Sequence, residues 1–279
     1  MMRRFGTKRF GTLFPALVLI LGALSSPVRA AEDAAMLEPE EEMALFVLGN
    51  TVFTLYHELG HALIDQLGIP VLGKEEDAVD SLATILLVGP EPDPVTDEMV
   101  MSAADGYAMS HASQEPDELA YWDEHSFDMQ RYGAVNCLIY GADPEGFAEF
   151  ALVIEMPEDQ QMRCPSTFDQ TAASWEALLD GYFRAEADGE DGGAVIVSYG
   201  DGGEAIHPDL LTLMRESGMI EDATASVEGM LVLPYDIPVK FEACDTINAF
   251  YDPSTGEVTM CYELVSYFAE LIVADIESR

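Results

Sequence analysis

The segment from Leu55 to Asp80 reads LYHELGHALIDQLGIPVLGKEEDAVD and places two histidines four residues apart. The residues from Met43 to about Gln66 carry apolar side chains on a wide helical face, and the GIP sequence at 68–70 ends that pattern. On a helix, four residues turn about 400° and rise about 6 Å, so His57 and His61 project from one face. The fold must therefore accommodate two stacked imidazoles within a largely apolar helix.

Two imidazoles in this arrangement can share one metal ion through their ring nitrogens. Glu58 lies about 100° round the helix from His57, where it is badly placed as a ligand but well placed to take a proton from water at the metal. The alternative is an amphipathic helix with solvated histidines, but His-Glu-x-x-His arises by chance in only about one chain of this length in a hundred. The sequence therefore predicts one zinc ion per chain, with Glu58 as the general base.

A catalytic zinc site has three protein ligands and one open position, so a third ligand is needed. In the extended pattern His-x-x-Gly-x-x-His, the third histidine would fall at Leu67 and the glycine at Ile64. Neither residue fits that pattern, and a third histidine from the same helix is excluded.

A carboxylate from the next helix is the other source of a third ligand. A helical pattern from about Glu75 to Val88 follows a short turn and can return antiparallel to the first helix. Glu76 is the predicted ligand because Asp80, four residues later on the same face, can accept the free ring N–H of a zinc-bound histidine. Glu75 is the rival ligand, but its four-residue partner is Val79, which cannot accept a hydrogen bond.

At these residues the sequence resembles the gluzincin metallopeptidases, whose zinc is held by two histidines and a downstream glutamate. It is more similar to a bacterial metallopeptidase family catalogued only as a domain of unknown function. The stretches that carry this second resemblance cover most of the chain after the first thirty residues: HELGHALID, IPVLGKEEDAVD, DEHSFDMQRY, YGADPEGF, TAASWEALL and NAFYDPSTGEVTMCYEL. The resemblance implies that His57, His61 and Glu76 bind zinc and that Glu58 is the catalytic base.

Two further residues are candidates for catalysis. The stretch DEHSFDMQRY contains His125 and, six residues later, Arg131. Metallopeptidases need a donor for the oxyanion of the tetrahedral intermediate, which a histidine or an arginine can supply. The alternative is structural: the histidine caps a helix and the arginine pairs with an acid.

The stretch near the end of the chain, Asn248–Leu264, predicts two strands joined by a turn at DPSTGE. Gluzincins bind substrate as an added strand at a sheet edge, and in related proteins a strand beginning NAF precedes the zinc helix. The resemblance therefore implies that Asn248, Ala249 and Phe250 bind substrate. The alternative is a structural hairpin that covers the helical part.

The chain has four cysteines, which can indicate whether it functions in an oxidising compartment. None of them lies in a Cys-x-x-Cys pair. An even count in an exported chain indicates disulfides, of which three pairings are open. We prefer Cys137 with Cys164 and Cys244 with Cys261, because these pairings close the shortest loops.

The first thirty residues predict a secretory signal with a basic head, a short apolar stretch and a cleavage site after Ala30. We therefore expect an exported protein, periplasmic or secreted, without stable membrane insertion once the signal is removed. Its removal leaves seven basic residues against 52 acidic ones, a net charge of −45. Such a charge disfavours binding to nucleic acid and is explained by solubility or salt adaptation, or alternatively by attraction of cationic substrates.

The patterns divide the chain into a signal peptide at 1–30, an acidic flexible segment at 31–42 and one metallopeptidase-like domain at 43–279. That domain has a helical part at 43–187 with the zinc site and a mixed α/β part at 188–279. The fold class is α+β, mostly helical and zincin-like, with a small C-terminal mixed sheet and an edge hairpin. Helices are predicted at about 43–66, 75–88, 98–109, 117–140, 144–155, 168–184, 208–217 and 262–276, and strands at about 194–199, 230–234, 237–244 and within 248–264.

Two functions are compatible with these features. The first is a zinc metallopeptidase that hydrolyses peptides or unfolded proteins by means of a zinc-activated water. The second is a catalytically weak or inactive, zinc-stabilised module that recognises extended polypeptide without cleaving it. The presence of Glu58 favours the enzyme, because a binding module gains nothing from a base beside an open metal position.

Overall fold

The computed structural model describes residues 39–90, 92–113, 121–185 and 192–279. Its helices are α1 Pro39–Leu67, α2 Glu75–Val88, α3 Pro94–Ser113, α4 Asp128–Ala142, α5 Ala148–Val153, α6 Glu158–Leu179, α7 Pro208–Ser217, α8 Met219–Met230 and α9 Tyr262–Ser278. Its strands are β1 Val195–Tyr199, β2 Ile237–Glu242, β3 Ala249–Asp252 and β4 Glu257–Cys261. The predicted α+β class, mostly helical with a small C-terminal mixed sheet, is confirmed.

Helices α1 and α2 form a hairpin whose close packing depends on Gly60. A Cβ atom at Gly60 would lie 2.8 Å from Cγ1 of Val79, closer than side chains tolerate. Gly68, in the left-handed region at φ +63°, ends α1 and starts the turn. The missing side chain at Gly60 lets the two helices approach between His57 and His61, which brings the acidic face of α2 against the two imidazoles.

The other helices surround this hairpin. Helix α3 packs on α1 and on α4, α4 packs on α2 and α6, and α9 packs on α1 from the C-terminal part. A disulfide between Cys137 and Cys164 joins helices α4 and α6. A second disulfide joins Cys244 to Cys261 at the end of β4. Both predicted pairings are confirmed.

The four strands form one mixed sheet in the order β1-β2-β4-β3. Strands β1, β2 and β4 are parallel, whereas β3 pairs antiparallel with β4 across the hairpin. The inward residues Ile237, Val239 and Phe241 of β2 are fully buried, which gives the sheet its own apolar contribution to the core. Strand β3 lies at the outer edge and against α1.

Several predicted elements differ from the structure: the helix predicted at about 168–184 runs instead from Glu158 to Leu179, and the sequence patterns do not predict helix α8. The helix predicted from residue 117 begins instead at Asp128, because the preceding residues 121–127 form a loop held by polar contacts. The strand predicted at 230–234 is wrong: helix α8 extends to Met230, and Leu231 and Leu233 make only isolated bridges to Phe183 and Gly193. The short apolar run MLVLP satisfies either pattern, so periodicity alone could not decide between them.

The predicted signal peptide and most of the acidic segment after it fall within residues 1–38, outside the described residues. Residues 39–42 of that segment form the first turn of α1. The positive end of the helix dipole stabilises the three glutamates there. Within the described part of the chain, no helix is long and apolar enough to cross a membrane.

Asp105 on α3 gives the fold a pH dependence that can be measured. Burial, together with the charges of Glu98 and Asp275, raises its pKa from 3.8 to about 6, although Arg279 acts in the opposite direction. The folded protein thus binds a proton at Asp105 more tightly than the unfolded chain. The stabilisation from this proton is fully present below about pH 4 and is lost as pH rises through about 6.

We expect Asp105→Asn, which cannot ionise, to raise the free energy of unfolding by about 1–3 kcal/mol near pH 8 and to change it little near pH 4. Urea unfolding at both pH values measures the difference. Asp169→Asn, the same change at an exposed position of α6, is the control for the substitution itself. An equal effect of Asp105→Asn at both pH values would contradict the burial argument.

Candidate metal centre

The hairpin of α1 and α2 brings together three side chains that can hold one metal ion. His57, His61 and Glu76 each offer a ligand atom, and these atoms all lie within 4.8 Å of one another. Nε2 of His57 is 3.3 Å from Nε2 of His61 and 3.0 Å from Oε2 of Glu76. Nε2 of His61 is 3.4 Å from Oε1 of Glu76. The structure thus places the three predicted ligands in one cluster.

These spacings fit a tetrahedral zinc ion. Zinc binds nitrogen and carboxylate oxygen at about 2.0–2.1 Å, so two ligand atoms at a tetrahedral angle are separated by about 3.3 Å. The two histidine nitrogens are 3.3 Å apart, close to that value, and each lies 3.0–3.4 Å from one of the two carboxylate oxygens of Glu76. Two neutral imidazoles and one carboxylate are also a typical ligand set of a catalytic zinc site.

His57 is oriented by a buried network centred on Asp80. Oδ1 of Asp80 accepts a hydrogen bond from Nδ1 of His57 at 2.8 Å. Arg131 donates to both carboxylate oxygens at 2.7 Å, and Tyr107 donates its O–H to Oδ1 at 3.3 Å. Because an ionised carboxylate only accepts, Nδ1 of His57 carries a proton towards Asp80, and Nε2 is the ring nitrogen that faces the cluster.

Arg131 is fully engaged in this network. Its guanidinium lies over the ring of Tyr107, 4.3 Å from the ring centroid, and forms a bidentate pair with Asp80. The structure therefore shows the arginine paired with an acid, the alternative considered from the sequence, and it places Arg131 as a support of Asp80. Burial acts to raise the pKa of Asp80, but Arg131 and His57 outweigh it and hold that pKa below its usual range.

His61 has its own carboxylate partner, which the sequence argument did not identify. Oε1 of Glu75 lies 2.8 Å from Nδ1 of His61, on the ring nitrogen that faces away from the cluster. Glu75 orients the ring of His61 through Nδ1, as Asp80 orients the ring of His57. Glu75 is not one of the three residues of the ligand cluster. The signal was present in the sequence, because Glu75 and Glu76 are adjacent and point about 100° apart on a helix.

The cluster favours positive charge at its centre. Burial acts to lower the pKa of His61, but hydrogen bonds with Glu76 and Glu75 raise it to about 9. The pKa of His57 is likewise raised by Asp80 and Glu76 against the effect of burial. A divalent cation bound to neutral imidazoles supplies the same positive charge, so the electrostatics fit a metal as well as the geometry does.

Glu58 is buried beside the cluster on α1. Its exposed fraction is 6%, and burial raises its pKa above the usual 4.5. The charges of His57 and His61 act in the opposite direction. A carboxylate in such surroundings is a stronger base than a solvated one, which suits the predicted proton transfer.

His125 lies at the mouth of the cluster, on the loop before α4. Its Nε2 is 3.0 Å from Oε2 of Glu76, and its ring is stacked over that of His57 with 6.2 Å between centroids. Asp123 fixes the loop by accepting from the backbone N–H and from Nδ1 of His125. The structure therefore brings His125 to the predicted site from about seventy residues away in sequence.

The predicted substrate-binding residues lie on or beside the edge strand β3. Phe250 is partly exposed, and the backbone carbonyl of Asn248 accepts a hydrogen bond from the N–H of Cys261. The hydroxyl of Tyr251 donates to Asp65 of α1 at 2.7 Å, and Asp65 is one helical turn beyond His61. This contact anchors the β3 edge to the helix that carries both histidines.

A second group of side chains has metal-like spacing, namely Cys244, Cys261 and Glu263. Its two sulfur atoms form a disulfide and cannot bind a metal as thiolates. Glu263 accepts the backbone N–H groups of Cys244 and Asp245. This group stabilises the hairpin, and we assign it no metal.

A comparison with protein families shows which family the chain belongs to. The model of the DUF4344 family, described as "Putative metallopeptidase", matches residues 25–179 and 199–279, which is most of the chain. The chain belongs to this family. A search of curated proteins and a search of solved structures found no match. Membership of DUF4344 supports a hydrolase that depends on a metal, and the matched range includes every residue of the cluster.

Proposed function

We propose that the protein is an exported, zinc-dependent metallopeptidase whose active site is the cluster on α1 and α2. The observation that carries this proposal is the three ligand atoms within 4.8 Å of one another beside the buried carboxylate of Glu58. Membership of a metallopeptidase family supports the same class of reaction. The metal is assigned as zinc because of the ligand set and its spacing.

In this proposal His57, His61 and Glu76 hold the zinc, and Asp80 and Glu75 keep the two imidazoles in the required tautomer. Both carboxylates accept at Nδ1, which leaves the Nε2 lone pairs directed at one point. A bound zinc ion supplies Lewis-acid polarisation of the scissile carbonyl and lowers the pKa of water to about 7.

Glu58 carries the proton transfers. Its carboxylate takes a proton from the attacking water as the water oxygen bonds to the carbonyl carbon. It then delivers that proton to the nitrogen of the leaving amine as the carbon–nitrogen bond breaks. Burial of Glu58 supports this role, since its raised pKa brings the carboxylate closer to the working pH.

His125 and β3 are assigned to the substrate. The partly exposed ring of His125, whose Nδ1 faces Asp123 and whose Nε2 lies 3.0 Å from Oε2 of Glu76, is assigned to donate from Nε2 to the developing oxyanion. The edge of β3 is assigned to an extended peptide, which adds to the sheet through backbone hydrogen bonds. The anchor between Tyr251 and Asp65 supports this assignment by holding the edge to α1.

Export is supported by the signal-like sequence of the first thirty residues and by the two disulfides, which persist in oxidising compartments. The substrates proposed are peptides or unfolded proteins outside the cytoplasm. Nucleic acid is not among the partners proposed, because a net charge of −45 after signal removal repels phosphate.

The test is cleavage of a peptide library by the purified chain without its first thirty residues. We expect hydrolysis that stops when a chelator removes the metal and returns when zinc is added back. Hydrolysis that persists in the chelated protein would contradict the proposal, as would none at full zinc occupancy with every peptide of the library.

A further inference from the structure

Two large apolar side chains stand fully in solvent beside the metal centre. Leu72, in the turn between α1 and α2, is 103% exposed, and Trp122, in the loop before α4, is 101% exposed. These are the highest exposures of any large apolar side chain in the described ranges. A fully exposed tryptophan leaves a large apolar area in contact with water, and burial of that area by a ligand is favourable.

Lys74 joins the two loops that carry these side chains. Its ammonium donates to the backbone carbonyl of His125 at 2.7 Å and to that of Asp123 at 3.4 Å. Leu72 lies two residues before Lys74, and Trp122 directly precedes Asp123. The contact therefore sets Leu72 and Trp122 on adjoining loops.

The same two loops lead directly into the metal centre. Glu75 and Glu76 follow Lys74 at the start of α2, and His125 follows Trp122 by three residues. The ring of Tyr121 packs edge-on against Phe127 with 5.4 Å between centroids, a contact between residues on the two sides of Trp122. Trp122 is thus held in solvent by an ordered loop at the mouth of the site.

A groove beside Leu72 offers room for a side chain. It has a volume of about 370 Å³ and is lined by Val71, Leu72, Lys74, Asp77, Ala78 and Thr171, among others. It shares Asp77 and Ser81 with a second hollow of about 240 Å³ that reaches Arg131.

We infer that Leu72 and Trp122 form an apolar rim that binds a large apolar side chain of an extended polypeptide next to the scissile bond. The inference rests on the proposed function and specifies its substrate class. Polypeptide is the chosen occupant because the rim adjoins the metal centre and because the acidic protein, with exposed Glu75 and Asp123 at this mouth, repels an anionic lipid surface. The same two carboxylates disfavour acidic residues in the substrate.

The rim is tested by the double variant Leu72→Ser/Trp122→Ser with two short uncharged peptides. One peptide has Leu and Phe about the cleaved bond, and the other has Ser and Asn at those positions. For the apolar peptide we expect KM to rise about tenfold, with kcat and zinc content retained and a much smaller change for the polar peptide. The matched control is Leu152→Ser/Tyr235→Ser, two positions away from the site that are 73% and 71% exposed. It should behave as the wild type.

A binding measurement separates the rim from the catalytic proposal. The chain has two tryptophans, and Trp175 is buried, so a ligand that covers Trp122 shifts the emission of the inactive Glu58→Gln protein to the blue. We expect a saturable shift with the apolar peptide that Trp122→Phe removes. If the peptide shifts the Trp122 emission but the wild type does not hydrolyse it, the rim assignment stands and the proposed peptidase activity is rejected. Hydrolysis with KM unchanged in the double variant would overturn the rim, as would a shift with phosphatidylcholine vesicles but not with peptide.

Discussion

Replacing Glu58 by glutamine is expected to lower kcat for peptide hydrolysis by about 10²–10⁴-fold while the zinc stays bound. The amide has nearly the same shape and still accepts a hydrogen bond from water, but it cannot take the proton. Because Glu58 lies beside the ligand cluster and is not part of it, the metal content should remain at one ion per chain. Initial rates and elemental analysis of the same preparation measure both quantities.

Glu75→Gln is the matched control for this variant, since it makes the same chemical change on another carboxylate next to a histidine of the cluster. The glutamine oxygen can still accept from Nδ1 of His61, so kcat should fall far less than in Glu58→Gln. Hydrolysis by Glu58→Gln at the wild-type rate would reject Glu58 as the base. Loss of zinc from Glu58→Gln would place that residue among the ligands instead.

The second large effect is expected at the third ligand. Apparent binding free energies of zinc at structural sites are about 10–16 kcal/mol, so one ligand of three or four accounts for roughly 3–4 kcal/mol. Glu76→Ala should therefore weaken zinc binding by about a hundredfold to a thousandfold. Competition with a chromophoric chelator at fixed pH measures the affinity of each variant.

Glu75→Ala provides the comparison, because it removes the neighbouring carboxylate from Nδ1 of His61 and leaves all three ligands in place. Loss of such an orienting partner costs about tenfold to a hundredfold in affinity, and Glu75 is partly exposed, so we expect the lower end. An equal loss of zinc affinity in Glu76→Ala and Glu75→Ala would reject Glu76 as the third ligand. A larger loss in Glu75→Ala would make Glu75 the ligand.

The part of the site that could be predicted from the sequence is the part fixed by helix geometry. A spacing of four residues on α1 stacks His57 over His61, and the same spacing on α2 sets Asp80 one turn beyond Glu76. The turn after Leu67 is short, which leaves little choice in how α2 returns along α1. For these reasons the bounds predicted for α2 agree with those observed, Glu75–Val88.

What the sequence did not reveal depends on contacts between distant segments. The segment that carries His125 has helix-forming neighbours, and its pattern predicts a helix. In the structure it is a loop, because Lys74 donates to the backbone carbonyl of His125 and Asp123 pairs with the His125 ring. The pairing of Arg131 with Asp80 joins residues 51 positions apart. Local periodicity contains no information about such pairs, because it reports only which face of an element is apolar.

The proposed site holds one zinc ion between His57, His61 and Glu76. Anomalous diffraction at the zinc absorption edge, from crystals of the zinc-loaded chain, tests it most directly. We expect one strong peak per chain, about 2.0–2.1 Å from Nε2 of each histidine and from a carboxylate oxygen of Glu76. Zinc-loaded crystals with no peak at this cluster, or with their peak at another group of side chains, would contradict it.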